Sequence, residues 1–174
     1  MTRYFLGLGS NLGDRVATLE IAVANLPGML RASSLYLSSP VDMESSAYDF
    51  LNLVVELEFA GEPLELLALA QALEDQAGRL RPYRNAPRTL DIDLVYGAGI
   101  AVNSESLVLP HPRAAQRLFV LVPVAELDVA IAGELAGFDF SLERFWAGEY
   151  EPSFPGQRLE KYSAASGLLG RYRS

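Results

Sequence analysis

The chain has 174 residues, half of them hydrophobic, with a formal net charge of −8, no cysteine and one histidine. This length fits one domain with a substantial core. A general nucleic-acid surface is disfavoured because it needs clustered positive charge, and disulfides and thiolate metal sites are excluded. No stretch approaches the ~18 consecutive apolar residues of a membrane span, and the N-terminus lacks the features of a signal peptide. We therefore expect a cytoplasmic protein without membrane or nucleic-acid partners.

The first half of the chain alternates strand and helix patterns. Residues 4–9 predict a buried strand, and an apolar stripe over residues 12–26 predicts an amphipathic helix. Residues 30–38 predict a second strand, residues 40–48 a loop, and residues 50–59 the clearest strand of the sequence.

The second half begins with a helix predicted over residues 63–77, where the first position is a proline. An arginine-rich loop and a strand over residues 89–96 follow. A third helix is predicted over residues 114–127, interrupted at Pro123. From residue 148 the chain is polar and contains Pro, Gly and Ser, so we divide it into a domain over residues 1–147 and a C-terminal tail over residues 148–174.

The order strand, helix, strand, strand, helix, strand is typical of ferredoxin-like folds. It predicts an α+β protein in which an antiparallel sheet carries its helices on one face. The opposite face of the sheet is then open to a ligand.

Strand periodicity assigns side chains to these two faces, because alternate side chains point to opposite sides of a sheet. The face toward the helices takes the apolar residues Leu51, Leu53, Val55, Leu57 and Phe59 of one strand, and Leu90, Ile92, Leu94 and Tyr96 of the other. The open face takes Phe50, Asn52, Val54, Glu56 and Glu58, with Thr89, Asp91 and Asp93.

Asp91 and Asp93 are the candidate metal ligands. Aspartate is disfavoured in strands, and two carboxylates at i and i+2 on one face repel each other. A divalent cation would offset this repulsion, and ligands that are all oxygen indicate Mg²⁺ rather than Zn²⁺. The alternative is a solvated sheet face, which is common in antiparallel sheets.

Positive charge is concentrated just before these aspartates. Four of the 14 basic residues lie within ten positions, at Arg79, Arg81, Arg84 and Arg88. A solvated loop is one interpretation. In an acidic chain, and leading into two aspartates, the cluster favours a polyanion with bound metal, such as a nucleoside triphosphate.

Several segments, in chain order, carry a specific resemblance. They are Gly9-Ser10-Asn11-Leu12-Gly13-Asp14-Arg15, Phe50-Leu51-Asn52, Glu74 with Gly78-Arg79-Leu80-Arg81, Pro87-Arg88-Thr89-Leu90-Asp91-Ile92-Asp93-Leu94, Pro110-His111-Pro112-Arg113, and Arg117-Leu118-Phe119-Val120-Leu121. Over roughly residues 4 to 128 the chain resembles the 6-hydroxymethyl-7,8-dihydropterin pyrophosphokinase family. It departs from the family at Asn85, where relatives often carry tryptophan.

The resemblance implies transfer of diphosphate from ATP to the hydroxymethyl group of the pterin, with release of AMP. Two Mg²⁺ ions held by Asp91 and Asp93 would bridge the phosphates and the pterin hydroxyl. The resemblance implies that the substrate-binding residues are Phe50 and Phe119, which stack on the pterin, Asn52, which reads its amide edge, and Val41.

The resemblance also implies the residues around the phosphates. The catalytic set is Arg79, Arg81, Arg88, Asp91 and Asp93, and the ATP-binding set is Gln71, Glu74, Arg81, Arg88, Ile92, His111 and Arg117. A monomer that acts on ATP and the pterin is expected. The alternatives are a non-catalytic module that binds nucleotide or pterin, and a metal-dependent nucleotidyltransferase that uses the same aspartates.

Overall fold

A computed structural model describes residues 1–39, 49–78, 89–163 and 168–172. Its strands are β1 (Thr2–Ser10), β2 (Met29–Ala32), β3 (Leu35–Ser38), β4 (Phe50–Phe59), β5 (Asp91–Gly97), β6 (Val102–Asn103), β7 (Val108–Leu109) and β8 (Leu159–Tyr162). Its α-helices are α1 (Arg15–Asn25), α2 (Pro63–Gly78), α3 (Leu118–Leu127), α4 (Val129–Ala136) and α5 (Leu142–Trp146). Short 3₁₀ helices cover Ala114–Gln116 and Leu168–Tyr172.

One antiparallel sheet organises these elements. The strand order is β5-β1-β4-β3-β8, and β2 also pairs with β4. β6 and β7 form a separate two-stranded sheet. The predicted antiparallel α+β class is therefore confirmed, and the single strand predicted over residues 30–38 is two strands separated at Ser33 and Ser34.

The first face of the sheet packs on α1 and α2. The buried β4 residues on this face are the predicted Leu51, Leu53, Val55 and Leu57. They lie in one core with Leu19 and Val23 of α1 and with Leu66 and Ala70 of α2. α2 begins at Pro63 as predicted, whereas α1 begins at Arg15, three residues after the predicted start. Asp14 caps α1, because its Oδ1 accepts a hydrogen bond from the Ala17 backbone N–H at 3.1 Å.

The second face is not open along its whole length, which corrects the expectation that helices lie on one face only. A second core there joins Phe5, Val54 and Val95 of the sheet to α3 and α4. Eight of the ten residues of α3 are buried, so this helix requires cover on more than one side. Pro123 lies inside α3 rather than ending it.

A register shift corrects the predicted face of Tyr96. Phe5 pairs with Tyr96 while Leu6 pairs with Leu94, so Val95 is the extra residue of a bulge in β5. Val95 consequently joins the second core, and the Tyr96 ring packs edge-on against the Phe5 ring with 6.2 Å between the ring centroids. Tyr96 therefore faces away from the core that contains Leu94.

The chain after residue 148 contributes to the fold. β8 pairs with β3 in register from Ser38 with Leu159 to Leu35 with Tyr162, and thereby extends the sheet. Tyr150 and Phe154 are buried in the second core. No helix among the described residues is both long enough and apolar enough to span a bilayer.

A buried carboxylate links three strands at the end of the sheet away from Asn52. Glu56 has a side chain only 3% exposed. Its Oε1 accepts a hydrogen bond from Arg3 Nε at 2.6 Å, and its Oε2 accepts one from Arg31 Nε at 2.7 Å. The two guanidinium groups satisfy the buried charge and tie β1 and β2 to β4.

We predict that Glu56→Gln lowers the free energy of unfolding by about 2 kcal/mol, because the amide N–H₂ would face a guanidinium donor and the charge that both arginines contact is lost. Urea unfolding measures the change. Glu58→Gln, on the same strand, is the control and should stay within about 0.5 kcal/mol of the unsubstituted chain. Equal losses in the two variants would contradict the assignment.

Candidate active site

A cavity of about 540 Å³ lies on the second face, between the sheet and the start of α3. Strands β1, β4 and β5 supply its floor, and the junction before α3 supplies one wall. Its lining residues are Gly7, Leu8, Gly9, Ser38, Ser39, Phe50, Asn52, Leu53, Asp91, Asp93, Arg113, Gln116, Arg117, Phe119, Val120 and Gln157.

Asn52 presents an amide held by the sheet. The residue is 6% exposed, and its Nδ2 donates a hydrogen bond to Ser38 Oγ at 2.6 Å. Gly9 lies directly opposite Asn52 in the β1–β4 register. A Cβ atom on Gly9 would stand 3.0 Å from Asn52 Oδ1, so glycine leaves the amide the room that it occupies.

Two aromatic rings predicted to hold substrate reach the same cavity. Phe50 lies on β4 and Phe119 in the first turn of α3, and both line the cavity. The Arg117 guanidinium carbon lies 5.4 Å from the Phe119 ring centroid, which is within cation–π range. The structure thus brings Phe50, Asn52 and Phe119 together in the lining of one cavity.

The two aspartates lie on β5 beside the glycines of β1. Asp91 pairs with Gly9 and Asp93 with Gly7, so neighbouring positions on the same face carry no side chain. Arg117 Nη1 is 3.9 Å from Asp93 Oδ2, and the Asp93 side chain is 51% exposed. The glycines leave space for a ligand above the sheet next to both carboxylates.

A second cavity, of about 430 Å³, adjoins the aspartates. It is lined by Glu74, Asp91, Asp93, His111, Pro112, Arg113 and Arg117. The carboxylate of Glu74 accepts a hydrogen bond from the Ile92 backbone N–H at 3.1 Å, which ties α2 to β5. Because Asp91, Asp93, Arg113 and Arg117 line both cavities, the aspartate pair lies where the two meet.

His111 is fixed in one tautomer at the second cavity. Its backbone N–H donates to Val95 O at 2.8 Å, and its Nδ1 accepts from the Arg113 backbone N–H at 3.1 Å. Burial lowers the pKa of His111, Arg117 and Arg113 lower it further, and Asp93 opposes them. The imidazole is therefore neutral at pH 7, with its proton on Nε2 as a hydrogen-bond donor.

Other predicted site residues are placed differently. Ile92 as a whole is 3% exposed within the first core, and its backbone N–H is bonded to Glu74. Gln71 is exposed on α2, and neither cavity is lined by it. The predicted residues Val41, Arg79, Arg81 and Arg88 lie outside the described residues.

The structure adds residues that the sequence reasoning did not assign. Arg113 lines both cavities, and its place in the Pro-His-Pro-Arg segment was the signal that could have identified it. Ser38 and Gln157 line the first cavity from segments that are distant in sequence. A pattern in one strand or helix does not encode such a contact.

The aspartate pair fits magnesium in its chemistry. Among the described residues no group of three or more His, Cys, Asp or Glu side chains is arranged to hold a metal ion. Mg²⁺ does not require such a group, because it keeps several waters and binds through one or two carboxylates together with substrate phosphates. Two carboxylates beside open space are compatible with that mode of binding.

Comparison with known proteins identifies the family. Residues 5–129 match the model of the family described as 7,8-dihydro-6-hydroxymethylpterin-pyrophosphokinase. The 2-amino-4-hydroxy-6-hydroxymethyldihydropteridine pyrophosphokinase of Bacillus subtilis is 39% identical over 149 residues, which cover 82% of this chain and 89% of that protein. The protein of the same name from Mycobacterium leprae is 40% identical over 168 residues, which cover 88% of this chain and 85% of that protein. The chain belongs to the 7,8-dihydro-6-hydroxymethylpterin-pyrophosphokinase family.

Solved structures share the fold. A crystal structure of a variant HPPK-DHPS protein of Plasmodium falciparum has a TM-score of 0.59 and 14% identity, and the match covers 88% of this chain and 47% of that chain. A crystal structure of HPPK-DHPS in complex with substrates has a TM-score of 0.58 and 12% identity, and the match covers 87% of this chain and 46% of that chain. This chain therefore spans about half the length of those chains, and the likeness concerns the fold.

We predict that Gly9→Ala displaces the Asn52 amide and weakens its hydrogen bond to Ser38, which costs about 1 kcal/mol of stability. Gly7→Ala is the matched control, because its Cβ would meet Val95 Cγ2 at 3.6 Å, an ordinary contact. Thermal unfolding and the NMR resonances of the Asn52 side-chain amide report the difference. An unshifted Asn52 resonance in Gly9→Ala would show that the contact is not restrictive.

Proposed function

We propose that the two adjoining cavities are where this pyrophosphokinase of folate biosynthesis transfers the diphosphate of ATP to the hydroxymethyl group of 6-hydroxymethyl-7,8-dihydropterin, with release of AMP. The observation that carries the proposal is the position of Asp91 and Asp93 at the junction of the cavities. The first cavity is lined by aromatic rings and an amide, and the second is lined by basic and acidic side chains. A flat heterocycle and a polyphosphate would thus meet at the carboxylates.

The first cavity suits the pterin. Phe50 and Phe119 offer faces for stacking on a flat ring system. Asn52 offers an amide whose orientation is held by Ser38, and a side-chain amide can pair with an amide edge through one donor and one acceptor. Stacking would select a flat ring, and the amide would set its orientation. Val41 is proposed as a further contact on the substrate.

The second cavity suits the phosphates. Arg117 and Arg113 supply fixed positive charge, and His111 supplies a neutral N–H at Nε2. Glu74, Gln71 and the Ile92 backbone are proposed to contact the nucleotide. These groups bind and orient ATP with its β-phosphorus toward the aspartate pair.

The arginine-rich segment is proposed to complete the phosphate site through Arg79, Arg81 and Arg88. Support comes from the residues that flank it, since Thr89 Oγ1 donates a hydrogen bond to Ala77 O at 2.8 Å. The two ends of the segment are therefore tied together one helical turn from Glu74. The described residues that flank the segment therefore lie near Glu74, which lines the second cavity.

The proposed reaction is an in-line displacement at the β-phosphorus. The pterin hydroxymethyl oxygen forms a bond to the β-phosphorus while the bond from that phosphorus to the α,β-bridging oxygen breaks, the electron pair leaves with AMP, and the hydroxyl proton passes to solvent. Asp91 and Asp93 would hold two Mg²⁺ ions, which would supply charge neutralisation for the attacking and leaving oxygens. The protein aligns the two substrates, and Arg117 and His111 hold the transferred diphosphate.

We also propose that the chain acts in the cytoplasm as a monomer on these two small molecules. The residues that line both cavities come from one chain, so the proposed site needs no residue of a second copy.

Product analysis tests the proposed function. The chain is incubated with ATP, Mg²⁺ and 6-hydroxymethyl-7,8-dihydropterin, and nucleotides are separated by chromatography. AMP formed in equal amount to pterin diphosphate supports the proposal. ADP, free pyrophosphate with a nucleotidylated pterin, or no product would each contradict it.

We predict that Asp93→Ala lowers kcat by at least about 100-fold, since its carboxylate would hold the cations that stabilise the transition state. Asp91→Ala should behave alike. Asp139→Ala, which removes an exposed aspartate outside both cavities, is the control and should leave kcat unchanged. All three should unfold at nearly the temperature of the unsubstituted chain. Wild-type turnover in either site variant would refute its role.

Phe119→Ala should weaken pterin binding by about 1 kcal/mol or more while ATP binding changes little, because the ring stacks on the pterin. Isothermal titration calorimetry measures both affinities. Phe145→Ala is the control, because it removes a partly buried ring of the second core that does not line the first cavity. It should lower stability but not pterin affinity. An equal loss for ATP and pterin in Phe119→Ala would indicate general destabilisation.

A further inference from the structure

The peptide groups on both sides of Arg117 are held by one side chain. Gln157 Nε2 donates a hydrogen bond to Gln116 O at 2.7 Å, and Gln157 Oε1 accepts one from the Leu118 backbone N–H at 2.9 Å. Gln116 O belongs to the peptide before Arg117, and Leu118 N–H to the peptide after it. The amide of Gln157 therefore brackets the backbone of Arg117.

This bracket lies where the backbone changes direction. The 3₁₀ helix Ala114–Gln116 ends and α3 begins on either side of Arg117, which has extended backbone angles of φ −123° and ψ 106°. Arg117 is the N-cap residue of α3, and its side chain reaches toward Asp93 and the Phe119 ring. The Leu118 N–H, which has no partner within its own helix, is satisfied by Gln157.

The segment that carries Gln157 is itself anchored on two sides. Phe154 is 5% exposed in the second core, and its C=O accepts a hydrogen bond from the Gln157 backbone N–H at 3.3 Å. On the other side β8 starts at Leu159, which pairs with Ser38. Gln157 thus projects from a fixed base, and it lies beyond residues 5–129, the part of the chain that matches the family model.

We propose that Gln157 is a positioning residue for the reaction, which acts by holding Arg117 in the orientation that serves the phosphates. The Gln157 amide has the geometry for this role, since its Nε2 donates and its Oε1 accepts, and the two backbone groups that it bonds lie on either side of Arg117. Because Phe119 follows two residues later, the same bracket sets the start of the helix that carries the aromatic wall. This inference rests on the proposed function.

A double-mutant cycle tests it. Gln157→Met keeps the length of the side chain and removes both hydrogen bonds, and we expect kcat/KM for ATP to fall by about five- to tenfold. If Gln157 acts through Arg117, adding Gln157→Met to Arg117→Ala should lower kcat/KM by no more than about twofold further. Gln157→Asn, which keeps the amide but is one methylene too short to span both groups, should resemble Gln157→Met.

Phe140→Leu separates positioning from simple stability. Phe140 is buried in the second core and lines neither cavity, so this variant should lower the unfolding temperature and leave kcat/KM within about twofold. Losses that add in the double mutant, or a Phe140→Leu variant as impaired as Gln157→Met, would overturn the role of Gln157 while AMP release by the unsubstituted chain upholds the function. A chain that releases no AMP overturns the proposed function and this inference with it.

Discussion

The pairing of β1 with β4 on one side and β5 on the other is the constraint on which the site depends. It aligns Gly9 with both Asn52 and Asp91, and Gly7 with Asp93. Each of these polar side chains therefore has a glycine beside it on β1, which leaves space above the sheet. A shift of one residue in either pairing would turn an amide or a carboxylate toward the core and an aliphatic side chain toward the cavity. The register is held by the apolar core on the first face, and the chemistry on the second face follows from it.

Charge in this acidic chain is concentrated by tertiary structure. Arg113 and Arg117 come from the junction before α3, His111 from the segment after β7, and the aspartates from β5. Arg117 lies near both a carboxylate and an aromatic ring, those of Asp93 and Phe119. The contacts from Gln157 explain how that side chain can be held at a bend in the backbone.

The second face shows where local pattern and packing differ. The polar alternation of β4 predicted an open surface, yet Val54 is buried beneath α3 and only the end of the face near Asn52 borders the cavity. Strand periodicity reports which residues share a face, but it does not report what covers the face. In the same way the alternation that placed Tyr96 with Leu94 assumes a regular strand, and one bulge residue at Val95 reverses it.

The sequence by itself determined the antiparallel α+β class, the apolar face of β4 and the two aspartates on the opposite side of β5, because these depend on local periodicity. It also determined the family, because contiguous motifs such as Arg88-Thr89-Leu90-Asp91-Ile92-Asp93 carry that information. Only the tertiary structure decided that α3 covers part of the second face, that Arg113 borders both cavities, and that Gln157 brackets Arg117. Those features join segments that are distant in the chain, with Gln157 and Gln116 separated by 41 positions, and hydrogen bonds between a side chain and a distant backbone leave no periodic trace in a sequence.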